Sequence, residues 1–381
     1  MREETLLRDI LDYDLLQEHL ANGVVRRQEH PLYPELHIYN YSEKAAFDRI
    51  WDNVTNVCRG LITATQDGRE WIVARGFNKF HNLNTEWMPE TLEANLPNEV
   101  PEITAKLDGS LGIMYFWNGY FRIATRGSFN SDQAIWATRQ LHKHLALHGL
   151  YYAPSSLEKT PIFEIIYREN RIVVDYDFED LVLLGIIDNA TGAESPRNKV
   201  EQFARDNNFR LVEKFNKTLA ECAAENIPGE EGYVLTYPST GLKVKVKFED
   251  YVRLHRIVTG LNPRSIWEML AENQNEAVDT LMEDPKMPDG FKVWFADWVN
   301  QLRSQFKQIE DRATYVFLRR PMMGDDLGPT LYRKQTALYF QKEAPKLCSV
   351  LFAMLDGKDY KKVIWKSIEP AGNATFKKEG E

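Results

Sequence analysis

The hydrophobic pattern changes period once along this chain, near residue 255, and few architectures accommodate that change. Between about 30 and 250, short apolar runs rich in β-branched and aromatic residues alternate with turn dipeptides, the texture of half-buried strands. Val57–Thr63 and Trp71–Arg75 flank Asp67-Gly68, and Leu111–Trp117 and Phe121–Thr125 flank Asn118-Gly119, both hairpin signals. Pro161–Val174 and Leu181–Ile187 read as central strands, and Gly232–Tyr237 and Leu242–Phe248 as a pair split by Pro238 and Gly241. Helical spacing is confined here to 3–21, a segment from an Asp132 N-cap to about Gly149, Ser195–Asn208 and Thr218–Asn226. Later, Phe291, Trp294, Phe295, Trp298, Leu302, Phe306 and Ile309 recur at helical spacing. Ile266, Met269 and Leu270 mark another helix, and Leu331–Lys346 and Cys348–Leu355 add two more. These patterns predict an α+β domain over 1–257 and an all-α domain over 258–381, with the aromatic stripe as core.

The length of 381 residues, 43% hydrophobic, supports two such cores. No N-terminal apolar segment and no run of about 18 apolar residues suggests a leader or a membrane span. Cys58, Cys222 and Cys348 are scattered and odd in number, which fits a reducing cytoplasm better than disulfides or zinc. His142, His144 and His148 lack acidic or thiol companions and read as a solvated helix face. The formal charge is −9, and residues 259–381 carry equal numbers of basic and acidic side chains. A polyanion would therefore be gripped by local basic clusters, not by the overall field.

One stretch, Ala105-Lys106-Leu107-Asp108-Gly109-Ser110-Leu111-Gly112, has the composition of a reactive site. Two strands joined by a turn that admits positive φ would hold Lys106 at a sheet lip, aimed into a cleft. A lysine nucleophile must lose its proton although its reference pKa is about 10.4, and burial and nearby cations lower it. Attack on a nucleotide α-phosphate also needs cations for the triphosphate and carboxylates for metal-bound water and ribose. Lys243, Lys245 and Lys247 alternate with Leu242, Val244, Val246 and Phe248, so a strand presents three cations on one face. Glu164 lies inside the apolar run around Phe163, a costly place for an unpaired carboxylate. Glu231 stands at a strand entry, and Arg59, Lys79 and Arg126 lie beside turns. Singly, each of these is an ordinary surface charge; their order is specific.

Taken in order, Arg59-Gly60, Lys79-Phe80, the Lys106 K-x-D-G, Arg126-Gly127-Ser128, Phe163-Glu164, Glu231-Gly232-Tyr233-Val234 and Lys245-Val246-Lys247 resemble the motifs of covalent nucleotidyltransferases. More closely, the chain resembles the phage RNA ligase 1 family, typified by the ATP-dependent tRNA-repair ligase of T-even phages. Ile38–Tyr41, Lys79–Asn84, Asn170–Val173, Tyr251-Val252 and Leu254-His255 extend the likeness across most of 35–258. The resemblance implies a nucleotidyltransferase domain of ATP-grasp-like antiparallel sheets with helices. It also implies that Lys106 forms lysyl-AMP, with Arg59, Lys79 and Tyr41 near ribose and triphosphate and Glu164 on the ribose hydroxyl. Glu231 would organise the lysine and, with Glu164, a magnesium or manganese ion through water; Lys245 and Lys247 would hold the α-phosphate. Lys243 is then expected as a flanking surface residue. Arg126 stands where the family has a lysine, replacing a point charge by a planar fork. His81 stands where the family has a second phenylalanine, a stacking position that would carry a pH dependence.

The implied reaction joins RNA 5′-phosphate and 3′-hydroxyl ends, broken tRNA included, through lysyl-AMP and RNA-adenylate. The helical domain would help recognise RNA, with Lys358, Lys361, Lys362 and Lys366 as candidate phosphate contacts, and His81 of the first domain is a further candidate RNA contact. A monomer in the cytoplasm, the host's if phage-encoded, is expected, with no membrane or obligate protein partner. DNA ligases and GTP-using capping enzymes usually carry an OB-type β-domain after K-V-K, against the helical texture here; an inactive nucleic-acid-binding relative is the remaining alternative.

Overall fold

The computed structural model describes residues 4–149, 158–284, 286–322, 328–372 and 375–376. Glu3 of the expected first helix lies outside them. The chain forms two compact units, Met1–Val252 and Arg253–Glu381.

The first unit is α+β, built on three sheets. One is the meander β1 (Val25–Glu29), β2 (Leu36–Tyr41), β3 (Arg59–Gln66) and β4 (Arg69–Ala74). The remaining strands are β5 (His81–Asn82), β6 (Glu102–Lys106), β7 (Ser110–Trp117), β8 (Tyr120–Ala124), β9 (Lys159–Ile166), β10 (Asp180–Asp188), β11 (Arg210–Leu211), β12 (Lys214–Phe215), β13 (Gly232–Tyr237) and β14 (Leu242–Lys247). They form two five-stranded sheets, ordered β11-β10-β9-β7-β8 and β12-β6-β13-β14-β5. β9 shows how the layers are used. Phe163 and Ile165 pack with Ala137, Leu141, Val200 and Phe203 of two covering helices. On the opposite face, Ile162 joins the core shared with the meander, and Ile166 joins a separate core with Val182 and Val212. Glu164 stands between those two cores, so alternation along one strand opens a polar gap where two apolar layers part.

The structure redraws several expectations. β6 and β7 do not form a hairpin: they belong to different five-stranded sheets, and Leu107–Gly109 crosses between them. The strand expected over Pro161–Val174 stops at Ile166. There the Asn170 side chain donates to the Ile165 carbonyl (2.9 Å), and the Val173 and Val174 N–H groups go to the Asp108 carboxylate. The helix from Asp132 is capped one residue earlier, by Ser131 Oγ accepting from the Ala134 N–H. The first helix is two, Leu7–Ile10 and Tyr13–Ala21, because Leu11 is extended and Asp12 caps the second. Of the three histidines, His142 and His148 are exposed as expected, whereas His144 is half-buried, bonds the Asn207 carbonyl and stacks on Phe209 at 4.2 Å.

The second unit is helical: Pro263–Ala271, Asn275–Glu283, Asp289–Leu318, Pro329–Glu343, Cys348–Leu355 and Tyr360–Ser367. Phe291, Phe295 and Leu302 of the aromatic stripe are buried, and Phe306 stacks on Trp365 at 4.7 Å. Among the described residues no helix is long and apolar enough to cross a membrane. Phe163→Ala, which empties the layer between the β9 sheet and its helices, is expected to cost about 3–5 kcal/mol. That loss is measurable as a lowered urea midpoint at unchanged slope.

Candidate active site

Strand register brings the charges together. Lys106 at the end of β6 and Lys247 at the end of β14 both lie opposite Gly232, the first residue of β13. Glu231, one residue before, therefore falls between them. Its Oε1 is 2.7 Å from Lys106 Nζ and 3.0 Å from Lys247 Nζ, and its side chain is only 3% exposed. Gly232 sits at φ +144°, and a Cβ there would meet the Val246 carbonyl at 2.0 Å, so the bend that delivers Glu231 requires glycine. Gly109 is required for space and not for a positive φ: a Cβ would lie 2.6 Å from the Ile165 carbonyl and 3.0 Å from Glu164 Cγ.

Asp108 fixes the crossing. Its Oδ2 accepts from the Val173 and Val174 N–H groups and its Oδ1 from the Tyr251 hydroxyl, each at 2.8 Å, while its own N–H donates to Tyr176 Oη. Ser110 Oγ donates to Asn170 Oδ1 at 3.1 Å. Sequence reasoning gave these residues no role, although the Asn170–Val173 and Tyr251 motifs were the signal that marked them.

A second group of cations gathers on a phenol. Tyr41 Oη accepts from Lys79 Nζ at 3.2 Å and Arg126 Nη1 at 3.0 Å, and both cations lie 5.0 Å from its ring centroid. Arg59 Nη1 donates to the Phe77 carbonyl, and Arg59 and Lys245 share the Phe80 ring at 5.7 Å. Lys243 differs from its expected place on the surface. It ion-pairs with Glu194, donates to Thr236 Oγ1 at 2.7 Å, and lies over Phe77. His81 does not offer a free face either: at 7% exposure it packs edge-on between Trp51 and Trp87. Burial, then Lys79 and Lys245, holds its imidazole down to about 4, so it is neutral near pH 7 and carries no pH switch there.

The protonation pattern departs from expectation at Lys106 itself. Burial alone would lower its pKa, but Glu231, then Glu164 and Asp108, outweigh burial and hold the ammonium above the usual lysine value. Burial lowers Lys79, and Lys245 is pushed well down by burial and by Lys106, Lys79, Lys247 and Arg59. For Glu231, Lys106 and Lys247 outweigh burial and keep the carboxylate ionised. Glu164, which makes no ion pair among the described residues, is raised to about 8, mainly by burial. Burial would also raise Tyr41, yet Arg126, Lys79 and Arg59 bring it down to about 8. A phenolate absorbance titration is expected to show one tyrosine ionising near pH 8, absent in Tyr41→Phe; titration of every tyrosine at about 10 or above would contradict this arrangement.

Among the described residues no cluster of three or more His, Cys, Asp or Glu forms a metal cage. The pair Glu164 and Glu231 suits an ion that keeps its waters and takes its other ligands from substrate phosphates. In the second unit, Lys361, Lys362 and Lys366 are exposed on helix Tyr360–Ser367, and Lys358 lies 3.7 Å from Asp356.

Comparison with known proteins follows the same outline. An RNA ligase of Rhodothermus phage RM378 is 23% identical over 406 residues, spanning 88% of this chain and 90% of that protein. A protein of Thermovibrio ammonificans provisionally named as an RNA ligase is 29% identical over 248 residues, 61% of this chain and 62% of its own. Of solved structures, an archaeal ATP-dependent RNA ligase superposes with a TM-score of 0.44 at 13% identity, covering 92% of this chain and 100% of that one. A Naegleria gruberi RNA ligase variant with ATP and Mn gives 0.36 at 16% identity, covering 48% and 59%. The family profile for RNA ligases of the phage T4 type matches residues 57–251, over half of the chain and nearly all of the charged site, and this chain belongs to that RNA ligase family.

Proposed function

We propose that this RNA ligase works through a covalent lysyl-AMP on Lys106, with ATP as the nucleotide substrate, and that it seals breaks in structured RNA such as tRNA. The observation supporting this reading is the shared Glu231 carboxylate, which aligns Lys106 and Lys247 within a buried charged group that includes Glu164 and Lys245. In the first step Lys106 Nζ attacks the α-phosphorus, forming a P–N bond while the P–O bond to pyrophosphate breaks. The ammonium must first give up its proton. The same carboxylates that raise its pKa would hold Mg²⁺ or Mn²⁺ through water, where the metal neutralises triphosphate charge. Lys245 and Lys247 stabilise charge on the α-phosphate oxygens, and Arg59, Lys79 and Arg126 hold the departing phosphates. Tyr41 keeps Lys79 and Arg126 directed at one point before the phosphates arrive. Glu164 faces a ribose hydroxyl.

In the second step an RNA 5′-phosphate oxygen attacks the same phosphorus and expels Lys106. In the third, an RNA 3′-hydroxyl attacks the adenylated 5′-phosphate and releases AMP. Lys358, Lys361, Lys362 and Lys366 serve as phosphate contacts for the body of the RNA. A monomer in the cytoplasm completes the reading.

The test is incubation with α-labelled ATP or GTP and Mg²⁺, followed by a denaturing gel. A labelled adduct is expected with ATP, falling to background in Lys106→Ala and on removal of the metal with EDTA. No adduct, or one that survives Lys106→Ala, overturns the mechanism. Arg126→Lys restores the family's usual cation and is expected to retain adduct formation within about threefold, whereas Arg126→Gln loses about tenfold or more.

A further inference from the structure

We propose that Arg49 and Trp87 form a stacking platform for an unpaired base of the RNA strand bound beside the nucleotide cleft, an inference that rests on the ligase reading of that cleft. A row of rings runs from the site to the surface: Tyr41 to Trp51 at 5.0 Å, Trp51 to His81 at 5.2 Å, His81 to Trp87 at 5.0 Å, each edge-to-face. Lys79 Nζ covers the inner end, 5.0 Å from Tyr41 and 4.9 Å from Trp51. Trp87 ends the row 38% exposed, with the Arg49 guanidinium 5.2 Å from its ring centroid. Two polar atoms within the row, Trp51 Nε1 and His81 Nε2, are buried without a hydrogen-bond partner.

Arg49 occupies a position that protein folding alone would give to glycine. It follows helix Glu43–Phe47 at φ +57°, and the Ile50 N–H closes back onto the Ala45 carbonyl at 2.9 Å, the left-handed helix ending that glycine adopts without strain. An arginine there carries a backbone cost, and among the described residues its guanidinium has no carboxylate partner to offset it. What the guanidinium does have is an exposed indole. A cation beside an indole, continuous with a phosphate-binding cluster, matches the two surfaces of single-stranded RNA: a charged backbone and a base with an open π-face.

Binding of a 5′-phosphorylated single-stranded RNA, read by tryptophan quenching and by anisotropy of a labelled strand, tests this without any need for catalysis. Trp87→Ala is expected to weaken binding about tenfold and Trp87→Phe by no more than about threefold. Arg49→Gly is expected to weaken binding while Tm stays the same or rises, because glycine relieves the backbone. Tyr120→Ala, at an exposed tyrosine beside Arg122 on β8, serves as the unaffected control. Removing the stacked base from the RNA should abolish the Trp87→Ala effect. Wild-type affinity in both Trp87→Ala and Arg49→Gly, or an equal loss on abasic RNA, overturns the platform. If wild-type protein forms no adduct with ATP yet the binding losses appear, only the lysyl-AMP reading falls. If the adduct forms and binding is unchanged, only the platform falls.

Discussion

The site depends on a crossing between two sheets, and one buried carboxylate holds that crossing in place. Leu107–Gly109 leaves one five-stranded sheet and enters the other, and Asp108 joins this segment to loop 171–176 and to Tyr251 through four hydrogen bonds. Hydrogen bonds to a charged group contribute about 1.5–3 kcal/mol each, and leaving their buried donors unpaired costs as much. The anchor therefore does more than stabilise. It sets the distance between Lys106, carried by one sheet, and Glu164, carried by the other, with no room for a side chain on Gly109 between them.

Around that crossing the charges are arranged for mutual restraint. Glu231 satisfies two lysines with a single oxygen, and Tyr41 collects two cations on one hydroxyl. Breaking a buried pair is costly because it strands a charge, so these internal partners hold the charged side chains in one geometry. Glu231, Glu164 and Asp108 hold Lys106 as an ammonium against the effect of burial.

Much of the local chemistry was legible in the chain. Strict alternation from Leu242 to Phe248 requires a strand with Lys243, Lys245 and Lys247 on one face, and the structure has it. The turn residues gave the hairpins at Asp67-Gly68 and Asn118-Gly119, and the helical period gave the second unit's core residues. Alternation did not reveal that Lys243 is tied to Glu194 while Lys247 meets Glu231 and Lys245 lies over Phe80, because that depends on which residues pack over each one. His81 was read as a face for substrate and instead packs among the protein's own rings, since Trp51 is distant in sequence and linear order does not show that Trp87 folds back onto it.

By itself, then, the sequence determined strand and helix periods, the order of the motifs, and which charged side chains they carry, since these follow from local pattern and side-chain chemistry. Only the tertiary structure decided that K-x-D-G spans two sheets, that Gly109 is needed for clearance, and that the Lys106 pKa is held up while that of Lys245 is pushed well down. Those properties arise from distances between residues far apart in the chain. Coulomb energy and desolvation depend on such distances, and linear spacing carries no record of them.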